Sequence, residues 1–363
     1  MEAEAVAAPR FSPAQLGRTL LLLSGAVAVA LVVGVAVGEQ HVSLSTALHD
    51  PSSLDRALIS LRLPRAVLGA LVGAALGVSG AALQALLQNP LADPFVLGVS
   101  GGAALGGASA IAFGLDRLPQ LLAPFAATLP PALGALVDGV AGLSPIALAA
   151  FVGALAATAV VFGAGRVGGR ISPYGALLAG VIFNAFAAAG ITCIESLTAP
   201  ERLGSLIYWL AGALTYPGSG TLLALGVLVA LSTAVLVRDA HALNLLALGE
   251  ENAAALGVDV PRVRRRLFLA SSLAVASAVP LTGLIGFVGL LVPHVLRLWL
   301  GPDQRMLLPA SALGGAAFLV TADVCVRLLF PLLGREEPVG VLTALLGGPV
   351  FLWLLRRRGA LAG

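Results

Sequence analysis

The chain is 363 residues long, 58% hydrophobic and only 11% charged, with a net charge of +3 and a mean hydropathy of +0.99. A soluble globule is about one quarter charged, so this composition excludes one and predicts an all-α polytopic membrane protein. All 21 basic residues are arginine, which excludes a nucleotide-hydrolysing P-loop within the chain, because that loop needs a lysine at the β and γ phosphates.

Crossing a bilayer takes about 17 to 25 apolar residues, and ten such windows, about ten transmembrane helices, are predicted within one permease domain, 19–356. Residues 1–18 form a tail before the first span, 19–37. That span exceeds a signal-peptide core and ends in Gly38-Glu39-Gln40 with no cleavage site, so it is read as an anchor. Spans two and three cover 64–86 and 94–114. Each carries a small-residue stripe, Gly69, Gly73 and Gly77 in one and Gly98, Gly102 and Gly106 in the other, that predicts close helix packing. Residues 115–144 are apolar too, but Pro119, Pro124, Pro130 and Pro131 mark them as an external loop.

Spans four and five follow at 145–165 and 174–196, and the fifth offers Asn184, Thr192 and Glu195 as a weakly polar face. Residues 203–215 predict an extra half-helix on the surface before span six, 219–237. Then comes a charged, Gly-punctuated island, 238–266, in which Gly249 and Gly257 break two short helices. Spans seven to ten are placed at 267–285, 286–300, 308–329 and 339–355, and a short tail, 357–363, closes the chain.

With both termini inside, fourteen arginines are cytoplasmic and seven external, which obeys the positive-inside tendency. Cys193 and Cys325 are read as packing residues, and with His41, His49, His241 and His294 scattered no metal site is expected.

Several segments share specific wording. The island reads Leu248-Gly249-Glu250-Glu251-x-Ala253-Ala254-x-Leu256-Gly257-Val258 before an arginine cluster. Arg62-Leu63-Pro64-Arg65, then Gln84, then Asn89-Pro90-Leu91-Ala92-Asp93-Pro94 with Gly98 and Gly101-Gly102 form a second signature. Gly286-Phe287-Val288-Gly289, Pro293-His294, Arg297, Ala322-Asp323, Arg327 and Pro338-Val339-Gly340 form a third. Together they resemble the iron-siderophore, haem and cobalamin family of ATP-binding-cassette (ABC) importer permeases, from about residue 20 to 356. Arg335-Glu336-Glu337 departs from that family's usual Glu-Leu before Pro338, adding external charge.

The resemblance implies a type II ABC importer permease fold in a bacterial inner membrane. It also implies a second copy of the chain, two separate ATPase subunits that hold ATP and Mg, and a periplasmic or lipid-anchored binding protein, with no nucleic-acid partner and no cofactor bound by this chain. Leu248 to Val258 would contact the ATPase. Arg62, Arg65 and Arg327 would dock the binding protein through charge-assisted pairs, although helix-end arginines also snorkel to phosphates and Asp323 can pair with Arg327 at i−4. The fifth and tenth spans would line the pathway, with Asn184 equally suited to an interhelical hydrogen bond. Ferric siderophore is the first expected cargo, haem or cobalamin the alternative. A proton-coupled carrier using Asp323 or Glu195 is the remote rival.

Overall fold

The computed structural model describes residues 12–38, 42, 46, 49–50, 52–115, 144–167, 170–334 and 336–359. Nearly all of the Pro-rich loop, most of both tails, His41 and Arg335 lie outside the described residues. Among those described, thirteen α-helices are found: α1 Pro13–Ala36, α2 Leu54–Leu86, α3 Val99–Ala112, α4 Pro145–Ala164, α5 Pro173–Leu197, α6 Pro200–Leu210, α7 Ser219–Arg238, α8 Ala240–Leu246, α9 Glu250–Ala255, α10 Val260–Thr282, α11 Val288–Leu300, α12 Gln304–Leu333 and α13 Val339–Gly359. A 3-10 turn, Pro94–Leu97, precedes α3, and a two-residue antiparallel ladder, Arg166–Val167 with Arg170–Ile171, closes the turn from α4 to α5.

Local chemistry explains where these helices start. α1, α4 and α5 each open on Ser-Pro: Ser12, Ser144 and Ser172 accept a bond from the backbone N–H three residues on, and proline sits where no N–H is needed. Ser53 caps α2 in the same way. That cap starts α2 ten residues before the predicted edge at 64, and Pro64 is accommodated inside the helix.

All ten predicted spans coincide with helices. Six are long and apolar enough to cross a membrane, three more are shorter apolar helices, and the tenth, α10, begins in the arginine cluster. The core is organised around α2, 78% of whose apolar window is buried. It packs against α1, α10, α11 and α12. A Cβ on Gly73 would overlap the Gly315 carbonyl, and one on Gly77 the Ser311 carbonyl, so only glycine lets α2 and α12 touch backbone to backbone. Gly102 and Gly106 bring α3 equally close to Gly153 and Ala149 of α4, whereas Gly69 lies against the side chains of Leu214 and Val320.

Gly98 corrects the expected stripe on span three. It precedes α3 and takes φ +79°, the left-handed joint between the 3-10 turn and the helix. The half-helix between spans five and six runs 200–210 instead of 203–215, and it lies on the surface, anchored by the fully buried Leu206. The chain after it threads inward, where Ala213 N–H donates to Thr282 and Gly340 N–H to Gly212. Cys193 and Cys325 are exposed on the single chain, so neither is a core packing residue.

Candidate functional site: a coupling projection and an arginine cluster

One end of the bundle carries the projection formed by residues 239–259. α8 starts directly from the end of α7, Gly249 (φ +104°) turns the chain into α9, and Gly257 (φ +86°) turns it back toward α10. Asp259 caps α10 by accepting from Arg262 N–H at 3.2 Å. Ala253 is fully buried under the turn and its carbonyl accepts from Val258 N–H. Leu248 and Leu256 are each 62% exposed, and Glu250, Glu251, Ala254 and Gly257 are exposed beside them.

The base of this projection is wired into three spans. Arg264 of α10 pairs with both carboxylate oxygens of Glu250, and Arg266 donates to both oxygens of buried Asp239 at 2.8 and 3.1 Å. Gln88, just past α2, donates to the Leu246 carbonyl at 2.8 Å. Asn244 of α8 makes two bonds to the start of α12, donating to Asp303 at 2.7 Å and accepting from Gln304 N–H at 2.8 Å. Burial pushes the Asp303 carboxyl up, but hydrogen bonds from Arg305 and Asn244 outweigh it and hold the group below the usual carboxylate range. Of the two glutamates, Glu250 therefore serves the fold while Glu251 points outward. Asn244 and Gln88 stand out only in three dimensions; each is an ordinary amide in the sequence.

Near the Asn89–Pro94 signature at the same end, Asp93 caps the 3-10 turn by accepting from Phe95 N–H at 2.8 Å. Burial pushes its carboxyl up to about 6 against the pull of that bond.

At the opposite, distal end, Arg62, Arg65 and Arg327 converge as a group. Arg65 is only 5% exposed. Its guanidinium lies 2.8 Å from Asp323 and 2.6 Å from Glu336, donates to the Tyr216 hydroxyl at 3.0 Å and packs over that ring. Arg327 is 3.1 Å from the second oxygen of Asp323 and donates to the Val37 carbonyl. Arg62 donates to the Val35 carbonyl at 3.2 Å and lies against Gly38. An open pocket of about 200 Å³ is lined by Arg62, Arg65, Tyr216, Arg327 and Glu336. Arg65 is thus a buried cation in this chain, with two carboxylate partners supplied internally.

The predicted pathway residues separate. Asn184 donates to the Phe95 carbonyl at 2.8 Å and its oxygen abuts Gly101, so it pins the 3-10 turn to α5. Thr192 is exposed and Glu195 half-buried on a helix whose apolar window is only 11% buried in the single chain. Among the described residues no group of three or more His, Cys, Asp or Glu could hold a metal.

Membrane-length helices around a glycine-tight core, with one wired polar projection, define a polytopic transport permease. A profile of the FecCD transport family matches residues 26–357. The hemin transport system permease protein HmuU of Yersinia pestis is 42% identical over 302 residues, 83% of each chain. The cobalamin import system permease protein BtuC of Halobacterium salinarum is 42% identical over 299 residues, 82% of this chain and 73% of that one. A solved structure described as a metal-chelate type ABC transporter in an inward-facing conformation superposes with a TM-score of 0.76 at 28% identity, covering 94% of this chain and 99% of that one. The chain belongs to the FecCD transport family, the iron-siderophore, haem and cobalamin class of ABC importer permeases.

Proposed function

We propose that this chain is the membrane subunit of an ATP-driven importer that carries a bulky metal chelate inward by alternating access. Two copies enclose one pathway, a separate ATPase subunit sits under each projection, and a binding protein delivers cargo at the distal end. The observation that carries this reading is the projection itself: Leu248, Leu256 and Glu251 are exposed on an element whose base is bonded into α2, α10 and α12. An exposed leucine pair beside an acidic residue suits a soluble partner's cleft, and the bonded base converts movement of that partner into movement of spans. The projection and both termini then face the cytoplasm of a bacterial inner membrane, consistent with the arginine distribution.

Ferric siderophore is the first reading for the cargo. The hemin and cobalamin relatives, both 42% identical, favour a tetrapyrrole chelate as the second. The deciding experiment is ATP hydrolysis in proteoliposomes holding this chain with the ATPase subunit and binding protein of its own cell, supplied in turn with ferrichrome, hemin and cyanocobalamin. Stimulation by one of them identifies the cargo. Uptake that follows a proton gradient without ATP would overturn the reading.

A further inference from the structure

We propose that α2 and α12 act as one rigid strut joining the two ends of the molecule, and that Asn244 and Gln88 are the positioning residues that fasten it to the coupling projection. This rests on the functional reading above. The two helices cannot slide independently, because the Gly73–Gly315 and Gly77–Ser311 contacts are backbone on backbone with no side chain between them to yield.

Both members of the pair clasp the same short helix. Gln88, past the end of α2, bonds the last carbonyl of α8, and Asn244 within α8 bonds both the Asp303 side chain and the first backbone N–H of α12. Both members also meet again at the distal end, where Arg65 of α2 shares Asp323 of α12 with Arg327. Nineteen residues from Gln304 to Asp323 span about 28 Å at 1.5 Å per residue. Displacement of α8 by the ATPase is therefore delivered to the arginine cluster through a single packed body. The reverse holds for an acidic protein docking at that cluster, since coupling between two sites is reciprocal.

Asn244 suits the clasp because a primary amide donates and accepts at once. Aspartate at that position would keep the bond from Gln304 N–H but face the Asp303 carboxylate. Exchanging the two groups, Asn244→Asp with Asp303→Asn, restores a donor–acceptor pair between α8 and the start of α12, at the expense of the Asp303 bonds to Arg305.

The test has two readouts. In nanodiscs holding the permease alone, nitroxides at Leu256→Cys and Thr321→Cys in a Cys193→Ser, Cys325→Ser background report the distance between projection and strut. Asn244→Ala is expected to broaden that distribution, and the exchange pair to narrow it again. In proteoliposomes, the ratio of ATP hydrolysis with cargo-loaded binding protein to hydrolysis without it is expected to fall about five-fold or more in Asn244→Ala and Asn244→Asp, and to return in the exchange pair. Native spin-label distances in Asn244→Ala, or a native stimulation ratio, would overturn the strut alone. A native chain that assembles with no ATPase would overturn the functional reading and this inference with it.

Discussion

Arg65 on α2 and Asp323 on α12 lie 2.8 Å apart at the distal end, buried to 5% and 1% exposure, although 258 residues separate them in sequence. Asp323 also serves Arg327, so one carboxylate compensates two guanidiniums. Removing a partner from a buried pair leaves an uncompensated charge, which costs about 3–5 kcal/mol. Asp323→Asn is therefore expected to lower the unfolding midpoint of the detergent-solubilised chain strongly. Glu336→Gln removes a partner that is about one-third exposed, and its cost is about 0–1 kcal/mol. Thermal unfolding of the two variants side by side checks the ranking; equal midpoints would refute it.

The α2–α12 contact makes a sharper demand on single methyl groups. A Cβ on Gly315 would overlap the Gly73 carbonyl, whereas one on Gly163 of α4 meets nothing within 4 Å. Overpacking a tight contact costs about 1–3 kcal/mol, while an unobstructed Gly→Ala change inside a helix gains about 0.5–1 kcal/mol. Gly315→Ala should therefore destabilise and Gly163→Ala should not. The same thermal assay separates them, and a neutral Gly315→Ala would mean that the two helices are further apart than described.

Asp93 gives a dependence on pH. Its folded carboxyl is raised to about 6 from an ordinary value of 3.8, with burial as the main cause. A raised acid is most at ease protonated. Its penalty is absent below pH 4, grows as pH climbs toward 6 and is fully present above it. Asp93→Asn keeps an oxygen for Phe95 N–H without the charge. The expected outcome is a midpoint close to native at pH 4 and above native at pH 7.5. A variant less stable than native at pH 7.5 would show that the carboxylate is stabilised in place.

Much of this architecture is legible in the sequence because bilayer thickness is a strong filter: ten apolar windows became ten helices, and Gly249 and Gly257 broke the island where backbone freedom was needed. Tertiary pairing was not legible. Arg62, Arg65 and Arg327 read as external cations with Asp323 in reach of Arg327 alone, but only the packing of α2 on α12 reveals that Asp323 and Glu336 reach Arg65. Gly98 followed the four-residue spacing of its neighbours, and the Asp93 cap with its 3-10 turn ended that periodicity one residue too late for it to join the helix. Asn184 was ambiguous for the same reason, since its partner is a backbone carbonyl 89 residues away.

The two adjacent glutamates of the projection allow docking to be told apart from folding. Glu250 is bonded to Arg264, a residue only 13% exposed, and Glu251 is exposed. Glu250→Arg would set a cation against Arg264 and is expected to loosen α9, lowering stability as well as any association. Glu251→Arg and Leu256→Asp alter the outward surface alone, so their unfolding midpoints should match the native chain while the ATPase subunit no longer copurifies. Reversal of a charge across an interface typically acts on both encounter and retention, and an aspartate at an exposed leucine opposes burial of that position. Copurification from membranes, with the midpoint measured on the same samples, reads both quantities. If Glu251→Arg and Leu256→Asp retain the ATPase at native stability, the contact surface lies elsewhere on this end of the bundle, and α9 is a spacer and not the contact.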